Sequence, residues 1–329
     1  MLILCVDDAH SKMVHIKNTR RNLGFCRVYW NKATSTVFTQ KSVTGEVDSL
    51  AEATDYPDDF RLCDREVQIG DSVCYVFGIQ QVPLFFCSIT GKQTYKGNVY
   101  VYLEPNHSKA PVPATWAKFD VERFIFVADN RSDTRNPVII KNGVYASYHD
   151  ELEIAEEIYA EVRVPKFLES YATNESLPIG EAAFKKCHET LFKGIYPWAG
   201  SYRNEEVVVQ NDRRPTIAKD KIELELKRFF NSLTRSQLKK IKDRDTLIKM
   251  LIDTHRELAW IHPFRDGNGR SIRLFLEMLC LTRGYVFNLE SFIETGRGKK
   301  SYYHAVRQSL RGQHGLIKKL FEKATLELK

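Results

Sequence analysis

The segment HPFRDGNGRSIR, residues 262–273, combines residue types that packing alone does not explain. Pro263 ends any helix before it, and Gly267 and Gly269 permit close backbone approach or a positive φ. A second helix is predicted to begin near Asn268 or Gly269, which leaves its first backbone N–H groups without intrahelical partners. Because such groups attract anions, the segment predicts an anion-binding turn.

Charged residues in the same segment indicate which anion would bind. Arg270 and Arg273 are three residues apart, so they share one helix face and could hold adjacent phosphates by bidentate hydrogen bonds. Asp266 is a single carboxylate of the kind through which Mg²⁺ is commonly held beside nucleotide phosphates. His262 could take a proton from an incoming hydroxyl near neutral pH. The predicted occupant is a nucleotide with Mg²⁺.

These residues also have ordinary structural interpretations. A lone histidine is more often hydrogen-bonded inside a core, and Gly-Asn-Gly by itself is a turn. Their combination with Asp266, Arg270 and Arg273 favours the functional interpretation. His255 lies on the apolar stripe of the preceding helix, and we interpret it as a core histidine rather than a catalytic one. Phe264 is predicted to pack in the core.

The elements that position this segment are predicted to be helices. After Asp150, five stretches repeat apolar residues at helical spacing. The two stretches beside the segment, residues 247–259 and 272–280, carry continuous apolar stripes and are predicted to form a buried centre. The run VVVQNDRRPTIA, residues 207–218, interrupts the helical pattern and predicts a surface hairpin.

The first half of the chain has a different pattern. From Gly24 to about Tyr148, short segments rich in β-branched and aromatic residues predict strands, the last of them PVIIKNGVYASY at residues 137–148. Their spacing is typical of a small barrel or sandwich. The predicted fold class is therefore α+β, with a β-rich domain at residues 1–148 and an all-α domain with a hairpin at 149–329.

The composition narrows the class of protein. The formal net charge is +7, but Lys and Arg are scattered along the 329 residues, so nucleic-acid binding is not indicated. The seven cysteines include no C-x-x-C pair and predict reduced thiols in a cytoplasmic protein. No apolar run approaches the ~18 residues of a membrane span. Export by a route without a sequence signal, for example translocation into a host cell, stays open.

The segment HPFRDGNGRSIR matches the Fic motif His-x-Phe-x-(Asp or Glu)-Gly-Asn-Gly-Arg-x-x-Arg at every defined position, so the chain resembles Fic proteins. LFKGIYPWAGSYR, residues 191–203, resembles the helix and turn ahead of the family's flap, and the predicted hairpin lies where the flap belongs. Residues 301–321 resemble the closing helices. The resemblance covers roughly residues 150–321 and implies an all-α Fic-type domain with a β-hairpin flap.

The resemblance implies a protein adenylyltransferase, which uses Mg²⁺ and moves AMP from ATP to a Ser, Thr or Tyr hydroxyl of a target protein. Carried over by position, His262 deprotonates the hydroxyl and Asp266 holds the metal. Arg270 and Arg273 hold the β- and γ-phosphates. The backbone groups of the anion hole belong to Gly267, Asn268 and Gly269. Tyr302 is a candidate adenine contact, although an aromatic residue on a helix more often belongs to the core. The flap residues that would pair with an extended target segment are Val208, Val209 and Gln210.

Several alternatives stay open. The Doc branch of the family, which phosphorylates its target, carries Lys where this chain has Gly269, so nucleotidyl transfer is favoured over phosphoryl transfer. Transfer of another nucleotide, such as UMP, or of phosphocholine is possible on the same fold. A hypothesis of another class is a restrained Fic protein that acts mainly as a binding module through residues 1–140.

The family's inhibitory helix follows the pattern (Ser or Thr)-x-x-x-Glu-(Gly or Asn), yet no Glu in this chain precedes Gly or Asn. A separate antitoxin-like protein, a divergent sequence or no restraint at all would each account for this. A toxin, a translocated effector and a housekeeping modifier remain alternatives, as does a homodimer.

Overall fold

The computed structural model describes two compact units within the chain. The first contains Met1–Arg21, Phe25–Arg163 and Gly194–Pro197, and the second contains Val164–Lys193 and Trp198–Lys329. The predicted boundary between residues 148 and 149 stays a prediction. The described backbone comprises residues 2–7, 10–17, 26–31, 36–41, 47–52, 61–62, 67–76, 84–110, 112–119, 124–127, 138, 140–209, 214–293 and 296–327, with nearly all side chains from residue 67 onward.

The first unit is built on two sheets. The six-stranded sheet has the order β5-β4-β3-β1-β2-β6, in which β1 and β3 pair in parallel. Its strands are β1 Leu2–Asp7, β2 His10–Lys17, β3 Cys26–Asn31, β4 Thr36–Lys41, β5 Val47–Glu52 and β6 Arg61–Leu62. The five-stranded antiparallel sheet has the order β10-β9-β8-β7-β11. Its strands are β7 Ser72–Val76, β8 Leu84–Tyr95, β9 Asn98–Pro105, β10 Thr115–Lys118 and β11 Phe124–Phe126.

The five-stranded sheet owes its core to the alternation of side chains along each strand. Val101 and Leu103 on β9 and Cys87 and Ile89 on β8 point to the same face and are fully buried with Phe124. The predicted β-rich first half of the chain is confirmed. Closure of its sheets into a barrel or their packing into a sandwich stays a prediction.

One predicted strand is wrong. In PVIIKNGVYASY, the described residues 140–147 form a loop rather than a strand. The Asn142 side chain closes this loop, because its Nδ2 donates to the Ala146 carbonyl at 3.0 Å and its Oδ1 accepts from the Ala146 N–H at 2.8 Å. An Asn side chain that bonds nearby backbone competes with a strand ladder. The β-branched residues before Asn142 favour a strand by local propensity, but the side chain of Asn142 opposes it.

The second unit is helical, as predicted. Helix α1, His149–Thr173, spans the division between the two units. The helices that follow are α2 Glu181–Phe192, α3 Ile222–Asn231, α4 Arg235–Lys240, α5 Arg244–Ile261, α6 Asn268–Leu281, α7 Glu290–Ile293, α8 Gly296–Leu310 and α9 Gly315–Ala324. A 3-10 turn lies at Lys219–Lys221, and the short strands are β12 Val208–Val209, β13 Arg214–Pro215, β14 Tyr285–Phe287 and β15 Thr325–Glu327. None of the described helices has the length and apolar character needed to cross a membrane.

Helices α5 and α6 form the centre of this unit. Asp243 caps α5 by accepting the Thr246 N–H at 2.8 Å, and the predicted apolar stripes of both helices are buried. Phe184 of α2 packs against Phe275 of α6, with ring centroids 5.5 Å apart and an edge-on geometry. The helix that carries the arginines is therefore held from two sides by apolar contacts.

Replacing Phe275 with Ala tests this core. The Phe275 ring on α6 is fully buried and packs against α2. Phe275→Ala is therefore expected to lower the free energy of unfolding by about 3–5 kcal/mol, because burial is lost and a cavity remains. Leu224→Ala on α3 is the control, since that side chain is 57% exposed and its loss should cost about 0.5 kcal/mol or less. Denaturant unfolding measures both, and equal losses would contradict a core at this position.

Candidate functional site

The residues from His262 to Gly267 connect α5 to α6. His262 ends α5: its N–H donates to the Leu258 carbonyl at 2.9 Å, and its backbone is left-handed, with φ 50° and ψ 59°. A non-glycine residue is uncommon in this conformation, which costs free energy unless surrounding contacts support it. The structure thus places the candidate base at a sharp, constrained turn.

Asn268 closes the loop that follows. Its Oδ1 accepts the Phe264 N–H at 2.8 Å, and its Nδ2 donates to the Phe264 carbonyl at 2.8 Å. Because the side chain is only 3% exposed, these two bonds are shielded from water. Asn268 therefore fixes the loop with its side chain and has only its backbone N–H to offer an anion.

Gly267, rather than Asn268 or Gly269, caps α6. Its φ of 74° and ψ of 6° are left-handed, and a Cβ here would lie 2.3 Å from Cε2 of the buried Phe192 ring. Its N–H donates to Asp266 Oδ1 at 2.6 Å. Gly269 lies inside the helix, and its Cβ would meet only Arg273 Nη1, at 3.2 Å. Two different requirements, a tight turn and space beside a guanidinium, account for the two glycines.

The predicted charged groups lie at the start of α6. The Arg270 guanidinium stacks over the Phe192 ring at 4.5 Å, with its Nη2 4.0 Å from Asp266 Oδ2. The Arg273 guanidinium lies 5.9 Å from the centre of the Tyr302 ring. Aromatic faces hold guanidiniums without consuming their N–H donors. Both arginines can therefore be positioned before a phosphate arrives.

Asp266, the predicted metal ligand, lies at the surface of the loop. Its side chain is 64% exposed, so its carboxylate is accessible from solvent. Within the described ranges, no cluster of three or more His, Cys, Asp or Glu side chains could hold a metal by itself. A single carboxylate suits Mg²⁺, which keeps several waters and takes further oxygens from substrate phosphates.

Tyr302 and His255 form a buried pair behind Arg273. The Tyr302 hydroxyl lies 2.7 Å from His255 Nε2, and the two residues are 4% and 3% exposed. Burial, followed by the charge of Arg273, lowers the pKa of His255 to about 3. His255 is thus a neutral core histidine, as predicted. The adenine contact of Tyr302 stays a prediction, and its hydroxyl is engaged inside the core.

The predicted hairpin is present. Strands β12 and β13 pair antiparallel, with Val208 opposite Pro215 and Val209 opposite Arg214. Val208 is 54% exposed, so its backbone lies near the surface, whereas Gln210 lies outside the described residues. Pairing of this hairpin with a target segment stays a prediction.

Sequence reasoning missed His188 on α2. Its Nδ1 accepts the Gly200 N–H at 2.7 Å, so the ring proton lies on Nε2, which donates to the Asp266 carbonyl at 3.1 Å. The imidazole also stacks on Phe264 at 3.9 Å. Burial lowers the pKa of His188 to about 4, which keeps the ring neutral at physiological pH. Nothing in the local spacing of α2 separates this histidine from an ordinary core residue.

Arg203 was missed as well. It is 5% exposed, and its guanidinium donates to the backbone carbonyls of His262, Glu205 and Ile217. Its Nη1 also lies 3.7 Å from Glu206 Oε2. The residue lies within the stretch that resembles the turn ahead of the flap. The His262 and Ile217 carbonyls are 59 and 14 positions away in sequence, so no local pattern could assign these two partners.

Comparisons with known proteins identify relatives of the part of the chain that contains this loop. The Fic/DOC family model matches residues 178–280. The probable protein adenylyltransferase y4lH of Sinorhizobium fredii is 32% identical over 129 residues, which is 37% of this chain and 65% of that protein. The protein adenylyltransferase VbhT of Bartonella schoenbuchensis is 33% identical over 101 residues, which is 31% of this chain and 21% of that protein. The chain spans less than two thirds of the length of either relative.

A solved structure similar to this chain is the ADP-bound N-terminal Fic domain of a putative cell filamentation protein from Bartonella quintana. It is 21% identical, covers 60% of this chain and 94% of its own, and superposes with a TM-score of 0.48.

Replacing Gly267 with Ala tests the tight turn. The new Cβ would need a left-handed backbone and would clash with Phe192, so we expect a loss of about 2–5 kcal/mol in unfolding free energy. Gly284→Ala is the matched control: its φ of 78° is similar, but nothing lies within 4 Å of the place that its Cβ would take, so about 1–2 kcal/mol is expected. Similar losses in urea unfolding would show that the Phe192 contact is unimportant.

The pH dependence of stability tests His188. Because its folded pKa of about 4 lies below the unfolded value of about 6.5, the unfolded state binds a proton first as the pH falls. The contribution to stability is fully present above pH 6.5 and is lost towards pH 4, at about 1.4 kcal/mol per pH unit. In the His188→Gln variant, the plot of unfolding free energy against pH should be shallower by that slope between pH 4 and 6.5. The pH dependence that remains there comes in part from His255, whose pKa is also lowered by burial. Parallel curves for both proteins would refute the buried neutral state.

Proposed function

Residues 178–280 are a Fic domain, and from this premise we propose that the protein is an adenylyltransferase that moves AMP from ATP to a hydroxyl of another protein. The observation that carries the proposal is the common location of His262, Asp266, Arg270 and Arg273 around the first turn of α6. The names of the Sinorhizobium and Bartonella relatives support the same activity.

The triphosphate of ATP binds at the start of α6. The backbone N–H groups of Asn268 and Gly269 face the phosphates, and the helix dipole adds to their attraction for an anion. The Gly267 N–H instead donates to Asp266 Oδ1. Arg270 and Arg273 hold the β- and γ-phosphates by charge-assisted hydrogen bonds. Asp266 would hold Mg²⁺, which neutralises phosphate charge when bound.

His262 acts as the general base. Its imidazole accepts the proton of a Ser, Thr or Tyr hydroxyl of the target, and the hydroxyl oxygen forms a bond to the α-phosphorus of ATP. The bond between the α-phosphorus and its bridging oxygen breaks, and pyrophosphate leaves on the arginines that hold it. Catalysis thus rests on positioning and electrostatics.

The flap orients the target. An extended segment of the target pairs its main chain with the exposed edge of the β12–β13 hairpin, beside the loop that carries His262. Main-chain pairing reads few side chains, so the choice of target depends on surfaces elsewhere on the chain.

Replacing His262 tests its role as general base in AMP transfer. Purified protein with Mg²⁺ and α-labelled ATP is expected to label itself or a protein in a lysate, and His262→Ala should reduce the initial rate by about 10²–10⁴-fold because proton removal is lost. His304→Ala, at an exposed histidine outside the loop, is the control and should keep the rate. Mass spectrometry of the labelled protein identifies the added group and the modified residue.

Other outcomes identify other reactions. Label that appears only from γ-labelled ATP would indicate a kinase, and preferential competition by UTP would indicate uridylyl transfer. Undiminished labelling by His262→Ala would contradict the role of His262 as base.

A further inference from the structure

Arg203 contacts the loop that carries His262 at two consecutive carbonyls. Its Nε donates to the His262 carbonyl at 2.9 Å, and its backbone N–H donates to the Pro263 carbonyl at 2.8 Å. These bonds hold the start of the loop at the point where His262 adopts its left-handed backbone. The conformation of the candidate base therefore depends on a residue from another part of the chain.

The same guanidinium contacts both ends of the flap. Nη1 donates to the Glu205 carbonyl at 2.8 Å, before β12, and Nη2 donates to the Ile217 carbonyl at 2.5 Å, after β13. The hydroxyl of Thr216 donates to the Val207 carbonyl at 2.7 Å and closes the base of the hairpin. One planar group thus joins the two ends of the flap to the His262 loop.

The chemistry of arginine makes this junction stiff. Its Nε, Nη1 and Nη2 donors lie in one plane at fixed angles, so three carbonyls that bind them are fixed relative to one another. Burial lowers the pKa of the Arg203 guanidinium, and the carboxylates of Glu206 and Glu205 raise it. A buried cation that loses an acceptor carries a desolvation cost, which favours keeping all three bonds together.

We propose that Arg203 is a positioning residue that couples the flap to His262, so that docking of a target strand on the flap and presentation of the imidazole are linked. The proposal rests on the proposed adenylyltransferase function. A displacement of either end of the flap reaches the His262 carbonyl through one rigid group. The phosphate-binding groups lie further along, from Gly267 to Arg273, and are anchored separately by Asn268.

Arg203→Lys separates coupling from general stability. Lysine keeps the charge but cannot reach three carbonyls in a fixed plane, so kcat for target modification should fall about 10–100-fold. The Kd for ATP should stay within about twofold of the wild-type value. Arg228→Lys is the matched control, because Arg228 is exposed on α3 and pairs across one turn with Glu225, at 2.8 Å. An unchanged kcat, or parallel losses in kcat and ATP affinity, would overturn the proposal.

Hydrogen exchange tests the coupling without relying on activity. Thr216→Val removes the bond at the base of the flap without touching the loop, and it should reduce the protection of the His262 amide as well as that of the β12 amides. Arg203→Lys should reduce both together while α5 and α6 keep their protection. Loss confined to the flap would overturn the coupling.

The two proposals can fail separately. If the wild-type protein transfers no AMP, the proposed function fails while the exchange comparison still decides whether flap and loop are linked. If Arg203→Lys does not fold, the comparison of Thr216→Val with the wild-type protein decides the same question.

Discussion

The geometry of the turn between α5 and α6 depends on the paired hydrogen bonds between the Asn268 side chain and the Phe264 backbone. They allow the chain to leave α5, turn, and enter α6 without leaving buried polar groups unpaired. An amide side chain can donate and accept at once, which Asp or Leu could not do at this position. With the loop closed in this way, the backbone of Gly267 can take the left-handed conformation that starts α6.

Support for this turn comes from α2. His188 binds the Asp266 carbonyl through one ring nitrogen and the Gly200 N–H through the other, while its face stacks on Phe264. Phe192 fills the space beside Gly267 and provides the surface on which Arg270 lies. The same helix therefore supplies a polar brace to the backbone and an apolar platform to a cation.

Rigid and accessible groups are separated within the loop. Phe264 and Asn268 are buried and hold the backbone, whereas the Asp266 side chain is 64% exposed and that of Arg270 is 37% exposed. The side chains that we propose to contact a polyanion and its metal thus face solvent, and the groups that fix their spacing are shielded from it. Such preorganisation reduces the cost of ordering the site when a ligand binds.

The sequence by itself predicted helices α5 and α6 and the strand-rich first half of the chain. It also identified the segment 262–273 as the candidate site. These features depend on local periodicity, on the backbone preferences of Gly and Pro, and on the chemistry of residues close together in the chain. Tertiary structure alone decided the roles of His188 and Arg203, which contact residues 78 and 59 positions away, and the burial of Tyr302 against His255. The loop at Asn142 depends instead on a local contact, the two bonds between its side chain and the Ala146 backbone, which the β-branched residues before it did not predict. Local sequence patterns do not identify partners that are distant in the chain, such as those of His188 and Arg203, because only folding brings these residues together.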